Sequence, residues 1–284
     1  MSPHAADRID PISFDLYERD FLAFTQALGD SYARWGFAVI SDHGMAQDQV
    51  DAALAQTRAF FALPEAAKLA YKLPVQGQRG YTPFGVETAK GATHYDLKEF
   101  WHVGRDLPPG HRFRDHMPDN VWPDSERPDF HARVGWLYGA LDAMGLKVLE
   151  AIACYLGLDR HFFDPTVNLG NSILRLLHYP PVPKDGPHIR AGAHEDINVI
   201  TLLLGADEAG LEVQDRDGRW ISINPPPERR GFPRYSTPFF LHFNSDYLIQ
   251  TLPNSISAEN PDRYPTPITA DDYLQERLKE IKLA

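Results

Sequence analysis

The run from Gly192 to Leu204 constrains the fold of this chain more than any other stretch. It reads Gly-Ala-His-Glu-Asp-Ile-Asn-Val-Ile-Thr-Leu-Leu-Leu. After Asp196 almost every residue is apolar or β-branched, a pattern that predicts a buried strand. We therefore expect this run to be a strand of the protein core.

His194 and Asp196 stand two residues apart at the start of this run. Alternate side chains of a strand share a face, so the spacing predicts an imidazole and a carboxylate that point the same way. Such a pair is the beginning of a two-histidine, one-carboxylate site, which holds Fe(II) and leaves open positions for substrate and O2. A surface pair or a hydrogen-bonded pair would have the same sequence, so the rest of the chain must decide.

Net charge and apolar patterning narrow the possible partners. The 284 residues have a formal net charge of −11 and no block of basic residues, which argues against a nucleic-acid partner. No apolar run approaches the ~20 residues that cross a bilayer, so no membrane partner is expected. The single cysteine, Cys154, excludes an intrachain disulfide. The lone cysteine and the absence of a signal-peptide pattern at the N-terminus together predict a cytoplasmic location.

Apolar periodicity separates a helical half from a strand-rich half. Helical spacing covers three long segments, namely Asp15–Trp35, Gln47–Leu63 and Pro128–Leu158, and the last should bend or break near Gly145. Short strands follow, including a hairpin around Asp215 to Gly218 and a strand from Arg234 to Phe243. A terminal helix begins near Thr269, whose partner Asp272 completes a capping pattern. This order predicts an α+β fold, with helices around a β-sandwich or jelly-roll.

A series of ordered segments resembles the isopenicillin-N-synthase-like family of Fe(II)/2-oxoglutarate-dependent oxygenases. In chain order they are Trp35-Gly36-Phe37, Asp42-His43-Gly44, Phe60 to Pro64, Asp96 to Glu99, Leu174 to Pro180, His194-x-Asp196 and Arg234-x-Ser236. The resemblance implies a double-stranded β-helix (jelly-roll) core flanked by helices. It also implies three regions: 1–125 as the family's N-terminal part, 126–268 as the long helix and core, and 269–284 as a C-terminal helix.

The resemblance further implies the site residues and the cofactors, Fe(II) and 2-oxoglutarate. His194 and Asp196 match the first two iron ligands, and Arg234 with Ser236 matches the Arg-x-Ser that holds the distal carboxylate of 2-oxoglutarate. Tyr179 can donate its hydroxyl to the same carboxylate. The chemistry agrees, because an arginine fork suits a carboxylate and Ser236, two residues on, shares the face of Arg234. O2 and a small organic substrate are the implied partners.

One iron ligand is missing from this pattern. The family places a histidine just before Arg-x-Ser, but His242 is the only histidine after Asp196. At ~3.3 Å per strand residue, His242 would lie roughly 26 Å beyond Arg234, which is too far for oxoglutarate to span. The strands that should carry the histidine are also absent, because Ile221 to Pro225 runs directly into Pro226 to Arg230. Three explanations are open: an internal deletion, residues omitted from the printed chain, or a diverged member that has lost the site. The unpaired sheet edges of a shortened fold favour an absent segment.

Three functions follow from the sequence. The first is a Fe(II)- and 2-oxoglutarate-dependent dioxygenase that hydroxylates or desaturates a small organic substrate and releases succinate and CO2. The second is a non-catalytic binding protein on the same scaffold, because loss of a metal ligand should weaken iron binding. The third is an oxidase of the same family that needs no 2-oxoglutarate. We expect the first.

Overall fold

A computed structural model of the chain describes residues 9–73, 78–86, 97–181, 190–204, 211–223 and 232–280. The chain divides into two compact units, each built from three segments. The first unit comprises Met1–Ala46, Leu146–Phe163 and Ala206–Arg229, and the second comprises Gln47–Gly145, Asp164–Gly205 and Arg230–Ala284. The division into 1–125, 126–268 and 269–284 stays a prediction.

The secondary structure mixes helices with short strands, as the sequence predicts. Among the described residues the helices are α1 Asp15–Arg19, α2 Phe21–Trp35, α3 Gln47–Phe61, α4 Glu65–Leu69, α5 Phe130–Tyr155, α6 Asp164–Val167 and α7 Ala270–Glu280. The strands are β1 Ile12–Ser13, β2 Ile40–Ser41, β3 Gly80–Thr82, β4 Glu99–Gly104, β5 Ile173–Tyr179, β6 Ile200–Leu204, β7 Glu212–Gln214, β8 Trp220–Ser222, β9 Arg234–Leu241, β10 Leu248–Ile249 and β11 Ile268–Thr269. None of the described helices combines the length and the apolar character that a membrane span requires.

The predicted hairpin around Asp215 to Gly218 is present in the first unit. Strands β7 and β8 pair antiparallel, and the Asp215 carboxylate accepts hydrogen bonds from the backbone N–H groups of Asp217 and Arg219, both at 2.9 Å. This is the local turn chemistry that aspartate provides. Ile221 of β8 is buried in a cluster with Trp35, so the hairpin contributes to the core of this unit.

The second unit contains a five-stranded sheet in the order β3-β4-β5-β9-β6, with every neighbouring pair antiparallel. Helices α3 and α5 cover one face, which we call the outer face. There Trp101 of β4 is fully buried, with its ring centroid 4.7 Å from that of Phe60 and 5.4 Å from that of Phe130. The opposite face is the inner face. Helices together with antiparallel sheets confirm the predicted α+β class.

Strand β9 lies between two neighbours although it contains Pro238. Its pairs with β5 fall into two runs, residues 234–236 with 177–179 and residues 239–240 with 173–174. The interval between these runs contains Pro238, which has no N–H to donate to a ladder. The strand accommodates the proline because the pairing with β5 is interrupted there.

Helix α5 runs unbroken from Phe130 to Tyr155, so the predicted break near Gly145 is wrong. Gly145 is buried, and a Cβ added to it would lie 2.4 Å from Leu241 Cδ1 and 3.3 Å from Leu202 Cδ1. Both leucines belong to the outer face, so this glycine allows the helix to pack closely on the sheet. Gly139 of the same helix is exposed, and a Cβ there would meet nothing within 4 Å.

Glu99 is buried on the outer face among three hydrogen-bonding side chains. Lys68 Nζ and the Tyr81 hydroxyl donate to its Oε2 at 2.7 and 2.5 Å, and His178 Nδ1 lies 2.7 Å from its Oε1. Burial by itself raises the pKa of Glu99, but the hydrogen bonds from His178, Lys68 and Tyr81 together hold that pKa below its usual value. The network therefore contains an ionised carboxylate at neutral pH.

Gly145 and Gly139, two of the three glycines of α5, give a matched test of the packing. Overpacking costs about 1–3 kcal/mol, whereas alanine gains about 1 kcal/mol in helix propensity over glycine. We expect Gly145→Ala to lower the free energy of unfolding and Gly139→Ala to raise it by up to about 1 kcal/mol. Denaturant unfolding of both variants measures this, and equal stabilisation by the two would contradict the close approach of helix and sheet.

The Glu99 network gives a second stability test. Glu99→Ala should lower the free energy of unfolding by about 3–5 kcal/mol at pH 7, because it leaves the buried Lys68 ammonium without a carboxylate. The double variant Lys68→Met/Glu99→Leu, which removes both charges, should lose less. Since the folded-state pKa of Glu99 is depressed, its stabilisation is present above its unfolded pKa and is lost as the pH falls through the folded-state value. The difference between wild type and Glu99→Ala should therefore shrink in acid, and a difference that is constant with pH would contradict this account.

Candidate functional site

The three residues predicted to hold 2-oxoglutarate lie together on the inner face. Tyr179 of β5 pairs directly with Arg234 of β9, and Ser236, two residues on, points to the same side. All three are buried, with exposed fractions of 5, 8 and 8% respectively. The Arg234 guanidinium carbon lies 5.7 Å from the centroid of the Tyr179 ring. This face therefore brings together a guanidinium and two hydroxyls, all of which can donate to a carboxylate.

The predicted metal pair meets in a loop and not on a strand. Strand β6 begins at Ile200, and residues 192–197 have no regular secondary structure. The expectation that His194 and Asp196 share one face of a strand is therefore wrong. The two side chains nevertheless come together, with His194 Nε2 3.6 Å from Asp196 Oδ1. The strand predicted after Asp196 is confirmed as β6, although its residues are half-buried and not fully buried.

A further hydrogen bond orients each member of the pair. His194 Nδ1 lies 2.8 Å from the backbone oxygen of Gly192. A carbonyl oxygen only accepts, so Nδ1 carries a hydrogen, and the Nε2 side of the ring faces Asp196. Thr201 Oγ1 donates to Asp196 Oδ2 at 2.5 Å, which leaves Oδ1 on the histidine side. Metal-binding histidines are usually oriented in this way, so the pair fits two ligands of a metal ion.

Among the described residues, no third protein ligand joins this pair. Within the described ranges, no three His, Cys, Asp or Glu side chains are grouped so that they could hold a metal. His242 is therefore not brought to His194 and Asp196. Burial lowers the pKa of His242 to about 4, so its ring is neutral near pH 7. Residues 224–230, where the sequence departs from the family pattern, lie outside the described residues.

The loop that carries the metal pair is attached to the inner face at two points. The buried Arg190 donates through Nη2 to the backbone oxygen of Phe232 at 2.8 Å, two residues before Arg234. The next residue, Ala191, packs against the inner-face cluster of Phe100, Leu177 and Tyr179. These contacts place the start of the loop beside the strands that carry the predicted oxoglutarate residues.

The outer face supports the same part of the sheet. His178 pairs with Tyr235, and the two rings stack with centroids 4.9 Å apart. They alternate along β5 and β9 with Tyr179 and Arg234 of the inner face. Since His178 also contacts Glu99, the buried ionic network stabilises the strands directly behind the predicted oxoglutarate site.

Sequence reasoning missed Thr201 and Arg190, which position other groups. For Thr201 a weak signal existed, because it is the one hydroxyl in the apolar run after Asp196. For Arg190 no signal existed, because its partner is a backbone oxygen more than forty residues away in the chain.

Two family models match the chain. One is described as "non-haem dioxygenase in morphine synthesis N-terminal" and matches residues 9–125. The other, the 2OG-Fe(II) oxygenase superfamily, matches residues 170–232. The second match includes His194 and Asp196 and ends two residues before Arg234.

A sequence relative shows that this chain is shorter than a family member. The chain is 28% identical to hxnY, a 2-oxoglutarate-Fe(II) type oxidoreductase of Emericella nidulans, over 321 positions covering 99% of this chain and 91% of the relative. Those positions outnumber the 284 residues of this chain. The relative therefore contains internal residues with no counterpart here, in agreement with the departure seen in the sequence.

Two solved structures share the fold. One is a full-length Neurospora crassa protein in complex with alpha-KG, which is 26% identical to this chain, with 98% of each chain covered and a TM-score of 0.82. The same protein has also been solved with alpha-KG and thymine. A 2OG-Fe(II) oxygenase family protein from Caulobacter crescentus has a TM-score of 0.88 over 96% of this chain and 99% of its own. These similarities confirm the predicted jelly-roll fold and the cofactors Fe(II) and 2-oxoglutarate. The Caulobacter protein is 60% identical to this chain, and at that identity over nearly the whole length the chain belongs to the 2-oxoglutarate/Fe(II)-dependent oxygenases.

Proposed function

We propose that this 2-oxoglutarate- and Fe(II)-dependent dioxygenase binds the distal carboxylate of 2-oxoglutarate through Arg234, Ser236 and Tyr179, and iron through His194 and Asp196. The observation that carries the proposal is the buried Arg234–Tyr179 pair, with Ser236 on the same face. The fork of N–H donors on a guanidinium matches the two oxygens of a carboxylate. The oriented His194–Asp196 pair supports the iron assignment.

The chemistry follows from the two cofactors and from what this chain does to position them. Together they supply the oxidation: one atom of O2 enters succinate as CO2 is released, and the other is delivered to the substrate, so that a C–H bond becomes C–OH. Arg234 would take the oxoglutarate carboxylate in two-point contact, with Ser236 and Tyr179 donating to the same group. The apolar inner-face residues Phe100 and Leu177 would keep water away from the bound cofactor.

The substrate is a small organic molecule, and hydroxylation or desaturation is the proposed outcome. The thymine complex of the Neurospora protein supports a small planar molecule as one substrate class. The net charge of −11 supports the absence of a nucleic-acid partner, and the single cysteine supports a cytoplasmic location.

The non-catalytic alternative rests on the missing third ligand, and the similarity to named 2-oxoglutarate oxidoreductases does not favour it.

The reaction can be tested directly. With Fe(II), 2-oxoglutarate, O2 and ascorbate as the electron donor in place of a substrate, the purified chain should form succinate, and His194→Ala or Asp196→Ala should abolish this product. Succinate measured by mass spectrometry decides the function. Iron-dependent O2 consumption that does not need 2-oxoglutarate would indicate the oxidase, and no turnover of either kind would indicate the binding protein.

The oxoglutarate site can be tested by binding alone. Arg234→Met should weaken 2-oxoglutarate binding at least about tenfold, because hydrogen bonds to a charged group contribute about 1.5–3 kcal/mol. Arg234→Lys keeps the charge but not the fork and should fall between wild type and Arg234→Met. Arg263→Met, at an exposed arginine, is the control, and titration calorimetry is the measurement. Wild-type affinity in Arg234→Met would show that the carboxylate binds elsewhere.

A further inference from the structure

The proposed metal pair and the proposed oxoglutarate residues differ in how far the fold encloses them. The side chains of His194 and Asp196 have 61 and 36% of their surface exposed. Tyr179, Arg234 and Ser236 are buried, with exposed fractions of 5, 8 and 8% for the whole residue. A metal ion at the pair would face water, whereas contacts between charges are screened much less at the oxoglutarate residues.

The metal pair by itself has fewer ligands than an iron site of this kind needs. A two-histidine, one-carboxylate site has three protein ligands. The sequence has no histidine between Asp196 and Arg234, and the described residues bring no third His, Cys, Asp or Glu side chain to the pair. Loss of a hydrogen-bonding partner of a ligand typically costs about 10–100-fold in metal affinity, and loss of the ligand itself should cost more. We therefore expect the pair alone to bind metal weakly.

The loop that carries the pair begins beside the oxoglutarate residues. Ala191 packs against the inner-face cluster that contains Tyr179. His194 is three residues further on, and three residues span at most ~11 Å even when the backbone is fully extended. The metal pair therefore lies close to the end of β5 that carries Tyr179, which is paired with Arg234 of β9.

2-Oxoglutarate has a binding group at each end. Its distal carboxylate suits Arg234. Its other end is a 2-oxo acid, whose carboxylate and keto oxygens can bind one divalent metal ion together. A molecule held at Arg234 would present this second end to the pair at an effective concentration well above that of the free compound. The metal ion would in turn offset the repulsion between that end and the Asp196 carboxylate.

We propose that 2-oxoglutarate completes the metal site of this chain, so that His194 and Asp196 hold iron firmly only while Arg234 holds the cosubstrate. This inference rests on the proposed function and concerns how that site is loaded. Arg234 is then a positioning residue for the metal, which it does not touch. Coupling between two binding sites is reciprocal, so iron tightens 2-oxoglutarate binding by the same factor as 2-oxoglutarate tightens iron binding.

The test measures metal binding and does not depend on turnover. Mn(II) is the probe, because carboxylate and carbonyl oxygens suit it and the EPR signal of the free ion reports the unbound metal. The full chain is titrated alone and with 2-oxoglutarate, glutarate or pyruvate. Glutarate has both carboxylates but no keto oxygen, and pyruvate is a 2-oxo acid without the distal carboxylate. Each of these two controls therefore lacks one of the two binding ends.

Three variants and a second measurement accompany the titration. Arg234→Met removes the anchor of the cosubstrate, His194→Ala removes a metal ligand, and Arg263→Met changes an exposed arginine as the control. Calorimetry gives the affinity for 2-oxoglutarate in the presence and absence of Mn(II). If Arg234→Met does not fold, the comparison of the three acids on the wild-type chain decides.

We expect 2-oxoglutarate to tighten Mn(II) binding to the wild-type chain at least about tenfold, because linking two weak sites through one ligand gains about 10²–10⁴ when both are engaged. Glutarate and pyruvate should each change it less than about twofold, since neither can engage both ends. Arg234→Met should lose most of the gain and Arg263→Met should keep it. His194→Ala should abolish Mn(II) binding with or without 2-oxoglutarate. Calorimetry should return the same factor for 2-oxoglutarate.

Three results would overturn the inference while leaving 2-oxoglutarate as the cosubstrate. They are a Mn(II) affinity that 2-oxoglutarate leaves unchanged although calorimetry detects its binding, a gain with pyruvate equal to that with 2-oxoglutarate, and a full gain in Arg234→Met. Failure of the proposed function is a different result, namely a wild-type chain that does not bind 2-oxoglutarate even in the presence of Mn(II).

Discussion

The antiparallel pairing of β5 with β9 is the constraint on which the rest of this structure depends. Its register puts Tyr179 opposite Arg234 on the inner face and His178 opposite Tyr235 on the outer face. A slip of one residue would exchange the two faces and move Arg234 away from the site. The buried contact of His178 with Glu99 therefore stabilises more than the outer face, because it also fixes which side chains the inner face presents.

The features that sequence reasoning predicted well are those decided by residues close together in the chain. Thr269 Oγ1 accepts from the backbone N–H of Asp272 at 3.1 Å and donates to the Asp272 carboxylate at 2.6 Å, as the capping pattern predicts. The hairpin at Asp215 is equally local. The predicted break in α5 near Gly145 is wrong, because that glycine faces Leu241, nearly a hundred residues away in the chain.

The candidate site shows the same division. That His194 and Asp196 approach each other follows from their spacing, but the strand geometry given as the reason does not hold, because the pair is formed in a loop. The residues proposed for oxoglutarate came from family resemblance and from the two-residue period of a strand. The contact between Arg175 and His102 could not be predicted, because it requires the register of β4 against β5. The missing third iron ligand is an example of the opposite kind, because the sequence alone shows that the histidine expected before Arg234 is absent.

The position of the metal pair bears on how an ion would enter and leave the protein. His194 and Asp196 lie on a surface loop, with 61 and 36% of their side-chain surface exposed, and hydrogen bonds to Gly192 and Thr201 orient them. An ion held there would exchange with the solvent through small movements of this loop, at a rate unrelated to that of global unfolding. Chelation would then remove the metal from the folded chain, and the same folded chain could bind it again.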